Sequence, residues 1–254
     1  MNASYDFSGK NVIVTGASRG IGYAIAKAFC ESGANVIMVA RGDTIEDAGT
    51  ELKKISKGNV VTYRADLSVL EERKVFVDFC DEVFDRRMDV LVNNAGIQKR
   101  HKPEEFPVED FNQVLNVNLV AVFDLCRLVG SRMLVQGKGS IINLASMLSF
   151  FGGVTVPAYA ASKGGVAQLT KALSNDWAYR GIRVNAIAPG YIDTEMNTAL
   201  IHNEVRYKEI VSRIPAGAFG RPEDIAGTAL FLASESAAYV SGAVIPVDGG
   251  YLGR

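Results

Sequence analysis

Short runs of β-branched and aliphatic residues alternate along the chain with longer stretches whose apolar positions recur at helical spacing. Residues 11–15 read as a strand, 21–30 as an amphipathic helix and 35–39 as a second strand, which together make a βαβ unit. Further strands are predicted at 60–64, 89–92, 140–144, 183–187 and 243–247, with mostly helical segments between them. Parallel strands need long crossovers, and right-handed crossovers lay helices on both faces. The pattern therefore predicts an α/β fold: a Rossmann-type, doubly wound, seven-stranded parallel sheet flanked by helices on both faces.

Helix punctuation agrees with this reading. Ser68-Val-Leu-Glu71 has the form of a capping box, and Pro222-Glu-Asp224 places a proline and two acids in a first turn. No linker, charge tract or repeat interrupts the alternation, so residues 1–254 are expected to form a single domain. The least regular stretch, about 191–219, follows the sixth strand at the edge where parallel sheets bind ligands, and is predicted to be a lid over the site.

Composition narrows the function classes. Lys plus Arg number 27 against 28 Asp plus Glu, a net charge of -1 that offers no basic field for nucleic acid. Cys30, Cys80 and Cys126 are odd in number and far apart, which predicts buried free thiols, and with only His101 and His202 no metal site is expected. The first ten residues lack an apolar run and no segment reaches ~18 uninterrupted apolar residues, so neither a secretory signal nor a membrane partner is expected. The Asn2-Ala3-Ser4 sequon then reads as a chance match, and the cytoplasm is the expected compartment.

Candidate chemistry begins at Thr15-Gly16-Ala-Ser18-Arg19-Gly20-Ile21-Gly22, between the first strand and the first helix. Glycines there let the backbone turn tightly and approach a diphosphate, while the helix N-terminus supplies N–H donors and positive potential. An acid about 20 residues further on would hold the 2′-hydroxyl of NAD, yet Ala40 stands at that position. Arg41 and Arg19 place two guanidinium groups near the 2′ position instead, so NADP(H) is predicted, with NAD(H) the alternative should Asp43 reach back to the ribose. Asp66, just past the third strand, is a candidate acceptor for the adenine amino group, and Leu67 beside it joins the cofactor set.

Tyr159-Ala-Ala-Ser-Lys163 sets a phenol and an ammonium on one helical face. A nearby positive charge lowers a phenol pKa, which suits Tyr159 for general acid–base work. Tyr23-Ala-Ile-Ala-Lys27 has the same spacing, but only Tyr159 has a hydroxyl residue, Ser146, thirteen positions upstream at a strand end.

Thr-Gly-x-x-x-Gly-x-Gly at 15–22, Asn93-Asn-Ala-Gly96, Asn118, Ser146, Tyr159-x-x-x-Lys163, Pro189-Gly190 and Val247-Asp-Gly-Gly250 together resemble the short-chain dehydrogenase/reductase family over nearly the whole chain. Within it, Asn93-Asn-Ala-Gly-Ile-Gln-Lys-Arg-His101, Glu105-Phe-Pro107 and the segment 188–196 resemble gluconate 5-dehydrogenases, whereas the segment 141–150 with Gly152-Gly153 resembles 2-dehydro-3-deoxygluconate 5-dehydrogenases. The resemblance implies NAD(P)-dependent interconversion of a secondary alcohol and a ketone, with a sugar acid as substrate. It implies that Tyr159 exchanges the proton, Ser146 holds the substrate oxygen, Lys163 binds the nicotinamide ribose and lowers the Tyr159 pKa, and Asn118 helps hold a water relay. It further implies that Asn93, Ala95 and Gly96 support the sheet and pack on the adenosine-side ribose, that Ile192 and Thr194 after Pro189-Gly190 hold the carboxamide, and that the protein is a homotetramer.

Gln98 and Arg100 lie in the basic loop 98–102 after the fourth strand, where Arg100 suits a substrate carboxylate. A hydrolase reading also exists, since Gly16-Ala-Ser18-Arg-Gly20 fits a nucleophile elbow with His202 downstream. A third glycine at 22 and the lack of an evident acid–His pair make it the weaker fit.

Overall fold

The computed structural model describes residues 5–253, and the Asn2-Ala3-Ser4 sequon lies outside them. The strands are β1 (Asn11–Thr15), β2 (Asn35–Ala40), β3 (Val60–Arg64), β4 (Val90–Asn93), β5 (Gly139–Leu144), β6 (Ile182–Pro189) and β7 (Val244–Val247). All pair in parallel in the order β3-β2-β1-β4-β5-β6-β7, the doubly wound arrangement expected. The order reverses between β1 and β4, so a crevice opens at their C-terminal ends, where such sheets bind ligands.

β1, buried on both faces, is apolar at its three central positions, Val12, Ile13 and Val14. Val12 and Val14 face a core closed by α1 (Gly20–Glu31), α2 (Thr44–Lys53) and α9 (Pro222–Ala233). Ile13 faces the other core, closed by α3 (Leu70–Val83), α5 (Ala121–Gln136) and α6 (Pro157–Trp177). The buried side of α9 packs on α1, and Cys30, Cys80 and Cys126 are buried free thiols in these cores.

α4 (Val108–Leu115) runs into α5 through one π-helical turn, Asn116–Val120. The combined helix is long and apolar enough by composition to cross a membrane, but α5 packs against β4, β5 and α3. Across the α3–α5 contact, buried Arg73 donates to Asp124 at 2.7 Å and to the Leu67 carbonyl at 2.7 Å. The expected Ser68–Glu71 capping box does not form. Asp66 accepts from the Ser68 N–H instead and Glu72 accepts from the Asp66 N–H, so the turn is organised around Asp66 two residues earlier.

Between β6 and α9 lie two short helices, α7 (Thr198–Ile201) and α8 (Glu204–Val211). They cover a third apolar cluster around Met147, Ile210, Ile214 and Tyr251. The stem of this segment is pinned: Ile192 bridges Gly220, and the Gly220 N–H donates to the Tyr191 carbonyl at 2.9 Å.

Candidate active site

A cleft of about 990 Å³ runs along the C-terminal edge of the sheet, from Arg41 and Asp66 at one end to Tyr191 and Tyr251 at the other. At the first end the glycine turn defines the shape. Gly16 has φ +64°, and a Cβ on it would lie 2.8 Å from the Ala95 Cα; one on Gly22 would lie 2.3 Å from the Gly16 carbonyl oxygen. Gly20 meets only Thr194 at 3.5 Å, so its φ of +56° is what requires glycine. The helix behind the turn starts at Gly20 with no side-chain cap and no acid in its first turn, leaving its N–H groups open toward the cleft. An uncapped helix start over a glycine cradle fits a diphosphate.

The turn is braced by Asn94, a residue sequence reasoning passed over between its neighbours. Its Nδ2 donates to the Thr15 and Gly16 carbonyls at 3.0 Å, while Thr15 Oγ1 accepts from the N–H groups of Asn94 and Ala95. Asn93 was expected to support the sheet and pack on the adenosine-side ribose; its side chain supports the sheet and points away from the cleft. Strand alternation puts it on the same side as Leu91, where its Nδ2 donates to Asn143 at 2.9 Å and to Cys126 Sγ. Gly22 and Asn118 also lie behind the cleft wall, whereas Ser18, Ile21, Leu67, Ala95 and Gly96 line it.

Arg19 and Arg41 both reach the cleft as exposed guanidinium groups. Arg19 meets Glu195 at 2.8 Å and Arg41 lies 3.7 Å from Asp66. Burial raises the Asp66 pKa, but hydrogen bonds from Ser68 and the nearby Arg41 outweigh it, so the carboxyl sits below its ordinary range. Asp43, the residue that would favour NAD, is held by the Arg64 guanidinium and does not line the cleft.

Midway along, Ser146, Tyr159 and Lys163 line one wall. Ser146 ends β5 and caps the 3₁₀ turn Met147–Ser149, its Oγ accepting from the Leu148 N–H at 3.1 Å. Ser149 locks this turn onto α6, donating from Oγ to the Lys163 carbonyl at 2.7 Å. Lys163 is buried, and its Nζ donates to the Leu144 carbonyl at 2.5 Å and lies 5.6 Å from the Tyr159 ring centre. Burial pushes the lysine pKa down to about 8.

Tyr159 departs from expectation in one respect. Burial raises its pKa, a hydrogen bond with Ser146 offsets this in part, and no lowering by Lys163 emerges. Lys163 instead donates to the carbonyl of buried Leu144. The other Tyr–Lys pair lies elsewhere: Tyr23 donates to Glu51 at 3.0 Å, and burial and that carboxylate push its pKa up to about 12.

Asn118 sits fully buried in the π-helical turn, the kind of irregularity that re-aims a side chain. Its Oδ1 accepts from the Ile97 N–H at 2.8 Å, and its Nδ2 donates to the Ile97 carbonyl at 2.9 Å and to Ser162 Oγ at 3.2 Å. Pro189, Gly190, Ile192 and Thr194 form the opposite wall, where Gly190 clears the Asp248 Cα that a Cβ would approach to 2.6 Å.

In the basic loop, Asp110 takes both Lys99 at 2.5 Å and His101 at 2.8 Å, and Lys102 meets Glu105 at 3.7 Å. Arg100 reaches the cleft beside Gln98 and has no ion pair among the described residues. The aromatic and cationic groups at this end, Tyr191, Arg206, Arg213 and Tyr251, were not among the expected site residues. No local motif marks them, because they meet only when segments distant in the chain pack together. No hydrogen bond links Ser18 with His202, so the hydrolase arrangement is absent among the described residues.

Comparison with known proteins agrees with this geometry. A family model described as enoyl-(acyl carrier protein) reductase matches residues 16–252. The 2-dehydro-3-deoxy-D-gluconate 5-dehydrogenase of Bacillus subtilis is 46% identical over 256 residues, covering 100% of this chain and 99% of that one. A Beutenbergia cavernae protein crystallised with NADP is 44% identical with a TM-score of 0.93, covering 99% and 100% of the two chains. A gluconate 5-dehydrogenase from Burkholderia cenocepacia, solved with NADP and tartrate, is 33% identical with a TM-score of 0.90, covering 99% and 98%.

Proposed function

The chain belongs to the short-chain dehydrogenase/reductase family, and from that premise we propose that it reduces and oxidises C5 of a six-carbon sugar acid, gluconate/5-ketogluconate first, with NADP(H) preferred to NAD(H). The observation that carries this reading is the Ser146–Tyr159–Lys163 wall between a diphosphate-shaped turn and the unpaired guanidinium of Arg100. A second reading, 2-dehydro-3-deoxygluconate as the alcohol, is favoured by the 46% identity to the Bacillus subtilis enzyme.

Gly16, Ser18, Gly20 and Ile21 would hold the diphosphate, and Arg19 and Arg41 a 2′-phosphate, with Asp66 and Leu67 on the adenine side. When bound, the nicotinamide supplies or accepts the hydride. Tyr159 Oη gives its proton to the substrate oxygen during reduction and takes it back during oxidation. Ser146 Oγ donates to the same oxygen and stabilises the charge that develops on it. Lys163, whose pKa burial pushes down to about 8, stands behind the phenol, and Asn118 would help hold water between Lys163 and solvent. Arg100 would receive the substrate carboxylate, supported by Gln98.

The preference for NADP(H) is supported by Ala40 at the acid position, by two exposed arginines and by the capture of Asp43 by Arg64. A cytoplasmic homotetramer completes the proposal, and a hydrodynamic mass of one chain would refute that assembly. The test is consumption of NADPH and NADH with 5-ketogluconate, and reduction of NADP with 2-dehydro-3-deoxygluconate. Tyr159→Phe is expected to lower kcat by about 10²–10⁴-fold. A Tyr159→Phe protein that keeps full activity would overturn the mechanism, and a preference for NADH would overturn the cofactor assignment alone.

A further inference from the structure

The charge of the cleft is divided between its ends. Among the described residues two acids line it, Asp66 and Glu195, and each faces an arginine of the nucleotide end. The far end is lined by three guanidinium groups, Arg100, Arg206 and Arg213, and by no acid among the described residues. They come from different parts of the fold: Arg100 from the loop after β4, Arg206 from α8 and Arg213 from the turn that follows α8.

The three are not equivalent. Arg206 is occupied on the lid itself by Glu209 at 2.6 Å. Arg213 has no ion pair among the described residues, and its guanidinium lies 5.0 Å from the ring centre of Tyr251. That ring packs against Tyr191 at 5.7 Å and Phe151 at 5.8 Å, so the cation rests on an aromatic wall that limits its freedom. A guanidinium already positioned loses less entropy on binding a carboxylate than a free one. All three arginines line the same end of the cleft as Tyr191 and act electrostatically on its phenol.

We infer that Arg213, on the lid, and Arg100, on the sheet edge, clamp one substrate carboxylate beside Tyr191, which makes Arg213 a specificity-determining residue and the acid group of the substrate the link that draws the lid onto the sheet. This rests on the sugar-acid reading above and adds to it a second, lid-borne anchor. The clamp discriminates by charge, since an uncharged polyol of the same length would leave two unpaired cations facing each other across the cleft.

The test uses the Tyr159→Phe protein loaded with NADP, so that binding is read without turnover. Calorimetric affinity for D-gluconate is compared with that for glucitol, which lacks the carboxylate, in the parent and with Arg213→Ala, Arg213→Lys or Arg100→Ala added. Arg213→Ala is expected to weaken gluconate by 10-fold or more and glucitol by less than 2-fold, with Arg213→Lys between parent and alanine. Hydrogen exchange over residues 198–211 is expected to slow with gluconate and not with glucitol. Equal weakening of both ligands, no weakening of gluconate, or no gluconate binding to the parent would each overturn the clamp. The reductase reading fails separately, if the wild-type enzyme leaves NADPH unconsumed with every sugar acid while Arg213-dependent binding persists.

Discussion

The two ends of the cleft are built on different principles. At the nucleotide end the shape is made by backbone: Gly16 and Gly22 leave no room for a Cβ, and Asn94 ties the turn to β4 with bonds to main-chain carbonyls. At the lid end the shape is made by side chains, with Arg206 on α8, Arg213 in the turn after it and the rings of Tyr191 and Tyr251 supplying the surface. A backbone site is rigid and tolerates almost no substitution. A side-chain site exchanges residues at little cost in stability, so substrate choice can change there while the cofactor site stays as it is.

The sharpest way to break this contrast is at Arg73, which supports the nucleotide end through the Leu67 carbonyl. Arg73→Met leaves Asp124 buried with only the more exposed Arg127 and is expected to cost about 3–5 kcal/mol in denaturant unfolding. The acid limb should move with it. Burial raises the Asp124 pKa, but the bonds from Arg73 and Arg127 outweigh it and hold the folded value below its ordinary one. That stabilisation is complete above the unfolded pKa and is lost as pH falls through the folded one, so the variant should unfold at a higher pH than the wild type. A loss below 1 kcal/mol would show that the nucleotide end does not depend on this pair.

Next in size is Gly22→Ala, whose Cβ would sit 2.3 Å from the Gly16 carbonyl oxygen and 2.4 Å from Asn94 Nδ2. It should destabilise by about 1–3 kcal/mol and weaken NADP by more than 10-fold, while gluconate binding changes less. Equal loss of both ligands would mean that the two ends are mechanically coupled.

Lys163 stands between the ends, and its expected effect has the opposite sign. Its folded pKa of about 8 lies below the ordinary 10.5, so the unfolded chain binds the proton more tightly and stability rises with pH between those values. Lys163→Met should abolish turnover and, near pH 7, stabilise the fold by about 1–2 kcal/mol, less than the shift alone implies because the Leu144 carbonyl loses its donor. A destabilised variant would show that the buried ammonium supports the fold. The smallest expected change is at the lid surface, where Arg206→Ala breaks only the exposed pair with Glu209 and should alter stability by less than about 0.5 kcal/mol.

Legibility followed the same division. The strands, the glycine turn and the Tyr159–Lys163 spacing were readable because each depends on residues close together in the chain. Ser146 was readable because a strand end followed by a helix places it thirteen positions upstream of that tyrosine on the same wall. Motif membership does not say which side of a strand a residue faces, and β4 turns the Asn93 side chain toward Asn143, where it ties β4 to β5. Arg206 and Arg213 had no local signal, since nothing in residues 191–219 specifies that α8 folds back over Met147 and Tyr251.

The alternating pattern along the chain was enough to set the sheet, the crevice at its C-terminal edge and the meeting of Ser146, Tyr159 and Lys163 on one wall. These follow from periodicity and short-range stereochemistry, which act before any distant contact exists. Which charges remain free depends on folding. Asp110 pairs with Lys99 and bonds His101 while Arg100 has no ion pair among the described residues, Arg64 pairs with Asp43, and the Leu144 carbonyl accepts a hydrogen bond from Lys163. A charged side chain takes whichever partner folding brings within reach, and those partners are set by the packing of elements distant in sequence.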